Sequence, residues 1–307
     1  MRKLISSVSP HVNSPLTTQR IMLDVVLALV PAGIASAIIF GWRALLVIGV
    51  CVAVCVFSEW GFEKICKKEN TISDLSAVVT GMLLAYNLPV SIPIWQAALG
   101  SVIAIVVVKQ LFGGIGQNFA NPAITARIIM MTAFSGTMTA WVFPDAVSTA
   151  TPLAMISKGN LGGLPSYLQM FLGYRGGCLG ETCTLALLLG GIYLLVRRVI
   201  SWHTPVAFIG TVAIMSFICG KDVLYQLMAG GLMIGALFMA TDYSSTPPTK
   251  WGKVIFGIGC GLITVLIRFW GNFPEGVSFS ILIMNILTPY ITKLTRSKPF
   301  GAGGAKK

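Results

Sequence analysis

A short run of hydroxylated residues, from Asp145 to Pro152, is the first place in this sequence where chemistry could occur. The run reads Asp-Ala-Val-Ser-Thr-Ala-Thr-Pro and lies between two long apolar regions. Ser and Thr hydroxyls accept hydrogen bonds from backbone amides, so one interpretation is a turn or a helix start. The other interpretation is that the run marks a threonine for covalent modification.

The composition places this run in an integral membrane protein. Of the 307 residues, 55% are hydrophobic and only 10% are charged, and the mean hydropathy is +0.82. A soluble domain carries about 25% charged residues. The apolar stretches have the length of helices that cross a hydrocarbon core of about 30 Å, and they lack the alternation of membrane strands. The net charge of +12 does not indicate nucleic-acid binding, because no hydrophilic domain accompanies it.

Ten apolar stretches predict an all-α polytopic protein with about ten transmembrane helices. Five precede the hydroxylated run, at 22–40, 44–62, 73–88, 94–112 and 121–142. Five follow it, at 182–199, 205–219, 223–241, 254–270 and 277–292. An odd number of helices in each half means that related halves must be inverted with respect to each other.

The predicted organisation therefore has three parts. Residues 1–142 form a first five-helix repeat with an amino-terminal arm, and residues 182–307 form a second repeat with a basic tail. Residues 143–181 form the one long loop. Most of the 22 lysines and arginines fall in the arm, the tail and alternate loops. Because positive loops stay in the cytoplasm, both termini are expected inside and the long loop, with Thr151, outside.

Ionisable residues within or beside the predicted spans need partners or a cavity, because charge is costly in hydrocarbon. They are Asp24, Glu59, Asp74, Arg127 and Asp242. The favoured interpretation of Glu59, Asp74 and Asp242, which lie near predicted ends, is snorkelling or helix capping. Arg127 lies inside a span, where its guanidinium suits a phosphate, a ring carbonyl or a carboxylate. A structural ion pair is an equal alternative.

The seven cysteines do not have the spacing of a metal site, and none is predicted. Cys178 and Cys183 both lie on the outer side in the predicted topology. They are close enough to form a disulfide in an oxidising compartment.

The hydroxylated run resembles the acceptor pattern of flavin transferases, in which the FMN part of FAD is moved onto a threonine as a phosphoester. Asp145, Ser148, Ala150 and Thr151 match that pattern, and Thr149 stands where glycine is commonest. The resemblance makes Thr151 the covalent FMN site, and the hydroxyl is then expected on an accessible segment. It gives Asp145, Ser148, Thr149 and Ala150 the role of transferase recognition.

Two further segments are similar to the membrane-subunit family that contains RnfD and NqrB. They are 113–127, which includes Asn118, Asn121 and Arg127, and 239–242, which ends on Asp242. The resemblance covers nearly the whole chain. NqrB-like members carry a longer amino-terminal extension, so the chain is nearer to the RnfD branch.

This resemblance implies a redox subunit of the bacterial inner membrane, within a translocase that passes electrons between ferredoxin and NAD and moves Na+ or H+. It implies an inverted-repeat fold similar to urea transporters, and a covalent FMN that relays electrons at the outer face. The implied partners are the other Rnf subunits, A, B, C, E and G, especially the FMN-carrying G subunit, and the flavin transferase. A second, non-covalent riboflavin is expected near Asn118, Asn121, Arg127 and Asp242.

Two other functions remain open from the sequence. In a secondary transporter or channel, broken helices would bind a small solute and the hydroxylated run would only cap a loop. In a structural assembly subunit, there would be neither solute transport nor a cofactor. The mass of the denatured chain distinguishes both from the redox subunit, because only the redox subunit carries covalent FMN.

Overall fold

The computed structural model describes residues 17–141, 151–157, 164–271 and 276–296. Helices and turns make up these ranges, and no strand occurs in them. The all-α class predicted from the composition is therefore confirmed for the part of the chain that the structure describes. Asp145, Ser148, Thr149 and Ala150 lie outside the described residues.

The first two helices form a long antiparallel pair. Helix α1 spans Thr18–Phe40 and α2 spans Trp42–Ile65. The Thr17 side chain accepts from the backbone N–H of Arg20 and so caps the start of α1. Gly41 joins the helices at φ +73°, a left-handed conformation that costs glycine little. The predicted spans 22–40 and 44–62 are each a few residues too short.

The next three helices complete the half of the chain before Thr151. Helix α3 spans Ser76–Tyr86 and follows a 3₁₀ turn at Ile72–Asp74. Helix α4 spans Ile94–Val102 and continues as a π-helical segment over Ile103–Gln110. Helix α5 spans Pro122–Ala133, where the side chain of Asn121 caps the start and Pro122 needs no hydrogen-bond partner. A four-residue helix, α6, follows at Ser135–Met138, so the predicted span 121–142 is divided.

The predicted long loop contains two short helices in its described part. Helix α7 spans Pro152–Ser157 and α8 spans Tyr167–Leu172. The side chains of Ser166 and Gln169 form a capping box at the start of α8.

Helices α9 to α14 follow the loop within the described residues. Helix α9 spans Thr184–Val196 and α10 spans His203–Ile218. Helix α11 spans Val223–Met228, and α12 spans Leu232–Ile234 and continues as a π-helical segment over Gly235–Met239. Helix α13 spans Lys250–Trp270 and α14 spans Val277–Thr295.

The predicted span 223–241 is wrong as a continuous helix. Gly230 and Gly231 have φ angles of +68° and +67°, which interrupt the helix between α11 and α12. Among the described residues, only α1, α2, α13 and α14 are long and apolar enough to cross a membrane alone. The other apolar helices are shorter, which agrees with a multi-pass protein in which several elements are broken.

Close helix contacts join the two halves of the chain. Helix α1 packs on α9, and α5 packs on α14. At Gly190 in α9, an added Cβ would lie 2.1 Å from the carbonyl oxygen of Ala28 in α1. The glycine therefore sets how closely these helices approach.

Candidate functional site

A cavity of about 330 Å³ opens between helix ends at one end of the bundle. Its wall is formed where α1, α3 and α5 begin, where the π-helical segment after α4 ends, and by the turn after Met239. Three of the four residues expected near a non-covalent flavin line it, namely Asn118, Asn121 and Asp242. Arg127, the fourth, is not among its lining residues.

The two asparagines present different groups to this cavity. The Asn121 Oδ1 atom is used in capping, since it accepts from the N–H groups of Ala123 at 3.1 Å and Ile124 at 3.3 Å. The Asn118 Oδ1 atom is buried and has no hydrogen-bond partner. A buried acceptor without a partner costs about 1–3 kcal/mol. Asn118 is thus a group that a bound donor would satisfy.

Asp242 is held in the turn after the second π-helical segment. Its Oδ2 atom accepts from the Ser244 hydroxyl at 3.0 Å and from the Ser245 hydroxyl at 2.9 Å. Burial raises the pKa of Asp242 above that of an ordinary aspartate, while these hydroxyls oppose the shift. The side chain hydrogen-bonds within its own turn rather than snorkelling.

A buried ion pair adjoins the cavity, and the sequence interpretation missed it. Lys109 lines the cavity, and its Nζ lies 2.5 Å from Glu59 Oε1 and 2.6 Å from Ser76 Oγ. The side chains of Lys109 and Glu59 are 2% and 0% exposed. Snorkelling of Glu59 is therefore wrong. The available signal was the presence of an acid and a base in two of the predicted spans, the second and the fourth, each mostly apolar.

Two other acids behave as the sequence indicated. Asp74 caps the start of α3, since its Oδ1 atom accepts from the backbone N–H of Ser76 at 2.8 Å. Asp24 is partnered inside α1, where it accepts from the Tyr193 hydroxyl at 2.8 Å and lies 3.2 Å from Arg197. Asp74 thus stabilises the start of α3, and Asp24 joins α1 to α9.

Arg127 belongs to a separate buried network. Its Nη1 atom donates to Asn87 Oδ1 and to Ser278 Oγ, both at 2.9 Å, and its Nη2 atom lies 3.3 Å from Cys178 Sγ. These contacts join α5 to the end of α3, the start of α14 and the loop before α9. Through them, Arg127 joins three parts of the chain inside the bundle.

The possible disulfide between Cys178 and Cys183 is not formed, and both residues are buried, reduced thiols. The Cys178 thiol lies against Arg127 and donates to the backbone oxygen of Asn87 at 3.3 Å. Its sulfur is thus directed to the arginine network and not to the other cysteine.

Thr151 lies at the start of α7, with 5% of its surface exposed. Its hydroxyl accepts from the backbone N–H of Ala154 at 3.3 Å, which is the capping contact that the first interpretation predicted. Leu153 packs with Met170 and Ala229 in a small apolar cluster. The expectation of an accessible acceptor threonine is therefore not met in this arrangement, because α7 is packed onto α8 and α11.

The Thr151 region and the cavity lie at opposite ends of the bundle. An added Cβ at Gly230 would lie 2.5 Å from Leu153 Cδ1 and 2.6 Å from Arg268 Nη2, so α7 is close to Arg268. Arg268 is near the end of α13, about 27 Å along the helix from Lys250 at 1.5 Å per residue. The Lys250 end adjoins the cavity region, because Lys253 lines a second cavity that shares Thr241 and Tyr243 with the first.

Comparison with known families covers nearly the whole chain. The model of the NQR2, RnfD, RnfE family matches residues 5–301. The chain belongs to this family. It is 46% identical to the D subunit of the Na(+)-translocating ferredoxin:NAD(+) oxidoreductase complex of Acetobacterium woodii, over 99% of this chain and 97% of the relative.

Other members of the family have related names. The chain is 44% identical to the D subunit of the proton-translocating ferredoxin:NAD(+) oxidoreductase complex of Clostridium ljungdahlii, over 96% of this chain and 95% of the relative. It is 36% identical to the D subunit of the ion-translocating oxidoreductase complex of Stutzerimonas stutzeri, over 95% and 94%. The resemblance deduced from the sequence motifs is confirmed.

Proposed function

We propose that this chain is the D subunit of an ion-translocating ferredoxin:NAD oxidoreductase of the bacterial inner membrane. The observation that carries the proposal is the end-to-end similarity to relatives named as that subunit, at 46% and 44% identity. The chain acts as a redox subunit within the assembly and does not catalyse the reaction alone. Its partners are the other subunits, A, B, C, E and G.

Thr151 carries FMN through a phosphoester. The protein supplies the tether and the position, and the flavin supplies the redox chemistry. Two features of α7 support this role. The helix has six residues and a small apolar contact, so releasing it to expose the hydroxyl costs little. The Arg268 side chain also places positive charge near the helix that would hold the phosphoester.

The cavity at the other end of the bundle holds the second, non-covalent flavin. Its volume of about 330 Å³ is within the usual range of ligand pockets, roughly 300–1,000 Å³. Asn118 Oδ1 fits a ring or ribityl donor, since that buried acceptor has no partner in the protein. The resident ring would accept and pass on electrons there, while Asn118 and Asp242 orient it.

The distribution of basic residues supports an orientation with both termini and the cavity in the cytoplasm and Thr151 outside. A flavin held by Thr151 would supply redox chemistry at the outer face, where the covalent flavin of the G subunit would be its partner. Because the two sites are at opposite ends of the bundle, electrons pass between them through a carrier nearer the membrane centre.

An inverted repeat gives this arrangement its architecture. Helices α3 and α12 each begin after a left-handed residue, Leu75 at φ +64° and Gly231 at φ +67°. A buried basic side chain contacts the chain near each of these starts. Lys109 donates to the Ser76 hydroxyl at the start of α3, and Arg268 donates to backbone oxygens just before α12. The first helices of the two halves, α1 and α9, pack on each other, and so do the last, α5 and α14. A pseudo-two-fold axis between the halves predicts such contacts.

A mass measurement and a single substitution test the covalent flavin. The denatured wild-type chain, purified from cells that contain the transferase, is expected to carry the mass of one FMN and to fluoresce in a denaturing gel. The Thr151→Val variant is expected to lose both signals while keeping its fold, since it loses one capping bond worth about 1 kcal/mol. Thr139→Val, at an exposed threonine after α6, serves as the matched control.

Two outcomes contradict the covalent assignment. One is flavin fluorescence that persists in Thr151→Val, and the other is an unmodified mass for the wild-type chain. The alternative of a small-solute transporter or channel is supported by the same cavity, whose lining includes the polar residues Asn118, Asn121 and Asp242. Uptake of a solute by the isolated protein in vesicles, together with an unmodified mass, supports that alternative.

A further inference from the structure

The buried Lys109–Glu59 pair next to the cavity has no role in the function proposed so far. Lys109 is the last residue but one of a π-helical segment, and Gln110 follows it. Glu59 Oε1 accepts from both side chains, at 2.5 Å from Lys109 Nζ and 2.8 Å from Gln110 Nε2. A π-helical segment turns successive residues differently from an α-helix, and such segments are frequent at functional sites.

A buried ion pair between two helices carries a large desolvation cost. Removing two charges from water costs several kcal/mol per ion, and an apolar pair of similar volume is often equally stable or better. Glu59 Oε2 also remains buried with no hydrogen-bond partner. A purely structural contact between α2 and the segment after α4 does not need these charges.

Only the lysine of this ion pair faces the cavity. Lys109 is among the residues that line it, and Glu59 is not, so the positive end faces the cavity and the negative end lies behind. Asp242 is the other charged side chain on the wall. Its Oδ2 atom already accepts from the hydroxyls of Ser244 and Ser245, whereas Lys109 is the cation on the wall.

We propose that Lys109, held by Glu59 and Ser76, raises the reduction potential of a flavin ring bound in this cavity. The inference rests on the proposed non-covalent flavin. Reduction adds an electron, supplied by the redox partners of the complex, and that negative charge is stabilised by a nearby cation in a low-dielectric site. Lys109 forms and breaks no covalent bond, so it is a positioning and electrostatic residue.

The test is a redox titration of the assembled complex, in which the two flavins of this subunit are followed separately. Lys109→Met is expected to shift the oxidised-to-reduced ratio of the cavity flavin at least tenfold toward the oxidised form, which is about 59 mV for a one-electron couple. Lys109→Arg keeps the charge and is expected to remain within a few-fold of wild type. The flavin on Thr151, at the other end of the bundle, is the internal control and should not shift.

Two further variants separate electrostatics from folding. Glu59→Gln/Lys109→Met leaves no lone buried charge, so it is expected to fold and still to hold its flavin at a lower potential than wild type. Lys68→Met removes a neighbouring lysine that is exposed and donates to the backbone oxygen of Gln110, without lining the cavity. It should leave the potential unchanged.

Three outcomes would contradict either the inference about Lys109 or the proposed cavity flavin. If wild-type protein holds an extractable flavin and neither Lys109→Met nor the double variant lowers its potential, the inference is wrong and the proposed function stands. An equal shift in Lys68→Met also overturns it, since a general charge effect is then sufficient. If wild-type protein contains no extractable flavin at all, the proposed cavity flavin itself fails.

Discussion

At the scale of single residues, the polar groups of this subunit divide into a structural set and a cavity set. Arg127 connects three parts of the chain through Asn87, Ser278 and Cys178 and does not line the cavity. Asn118 lines the cavity, and its buried Oδ1 atom lacks a partner. The sequence placed both residues near one flavin site, and their different surroundings lead to different expectations for their variants.

The Arg127→Lys variant is expected to lose stability and keep its flavin. An ammonium cannot reproduce the planar guanidinium that reaches Asn87 and Ser278 together. A hydrogen bond to a charged group contributes about 1.5–3 kcal/mol, so the loss of one lowers the free energy of unfolding by about 2 kcal/mol. Thermal unfolding in detergent measures this, and the extractable flavin per chain should equal that of wild type.

The Asn118→Leu variant is expected to show the opposite pattern. Leucine removes the unpartnered acceptor and relieves its burial cost, so thermal unfolding should be unchanged or occur at a slightly higher temperature. Extractable flavin should fall several-fold because the ring loses its acceptor. A variant that keeps full flavin occupancy would show that Asn118 does not contact the ligand.

At the scale of elements, the break between α11 and α12 positions the end of the bundle that carries Thr151. Gly230 allows the chain to turn at φ +68° and leaves room for Leu153 and Arg268. The Arg268 guanidinium donates to the backbone oxygens of Ala229 at 2.9 Å and Gly230 at 3.3 Å, which stabilises the interrupted helix end. The loop helix α7 therefore depends on a backbone conformation in a distant part of the chain.

Gly230→Ala is expected to destabilise the protein more than Gly220→Ala. Both glycines have positive φ angles, +68° and +64°, so each substitution costs about 1–2 kcal/mol for the left-handed backbone. Only at Gly230 would the new methyl group meet other atoms, at 2.5 Å and 2.6 Å, whereas Gly220 has nothing within 4 Å. Thermal unfolding of the two variants measures the difference, and equal losses would contradict the packing of α7 described above.

At the scale of the whole molecule, the two halves are held together by helices that approach very closely. The carbonyl oxygen of Ala28 occupies the space where Gly190 would carry a Cβ. Helices in lipid associate through small residues because apolar burial alone gives no driving force there. The α1–α9 contact is thus a main determinant of how the halves pack.

Gly190→Ala is expected to lower the yield of folded protein and its unfolding temperature. The added methyl would lie 2.1 Å from the Ala28 oxygen and 3.0 Å from Phe238, so α1 and α9 must separate. Gly210→Ala, in α10, is the control, since nothing lies within 4 Å of its added Cβ. Alanine should there be neutral or stabilise the helix by up to about 1 kcal/mol. Size-exclusion profiles and thermal unfolding compare them.

The sequence by itself determined the membrane class and the family, because apolar length, charge asymmetry and short motifs are local properties of the chain. It also indicated capping at Asp74 and offered capping as one interpretation of the run that contains Thr151, since capping joins residues two or three positions apart. The family match then confirmed the family resemblance.

Only the tertiary structure decided which polar residues meet. Lys109 and Glu59 are 50 positions apart, and their pairing depends on how α2 packs on the segment after α4. The separation of Arg127 from Asn118, the reduced thiol of Cys178 and the broken helix at Gly230 likewise arise from contacts between distant elements. No local pattern encodes such contacts, because they follow from the packing of the whole bundle.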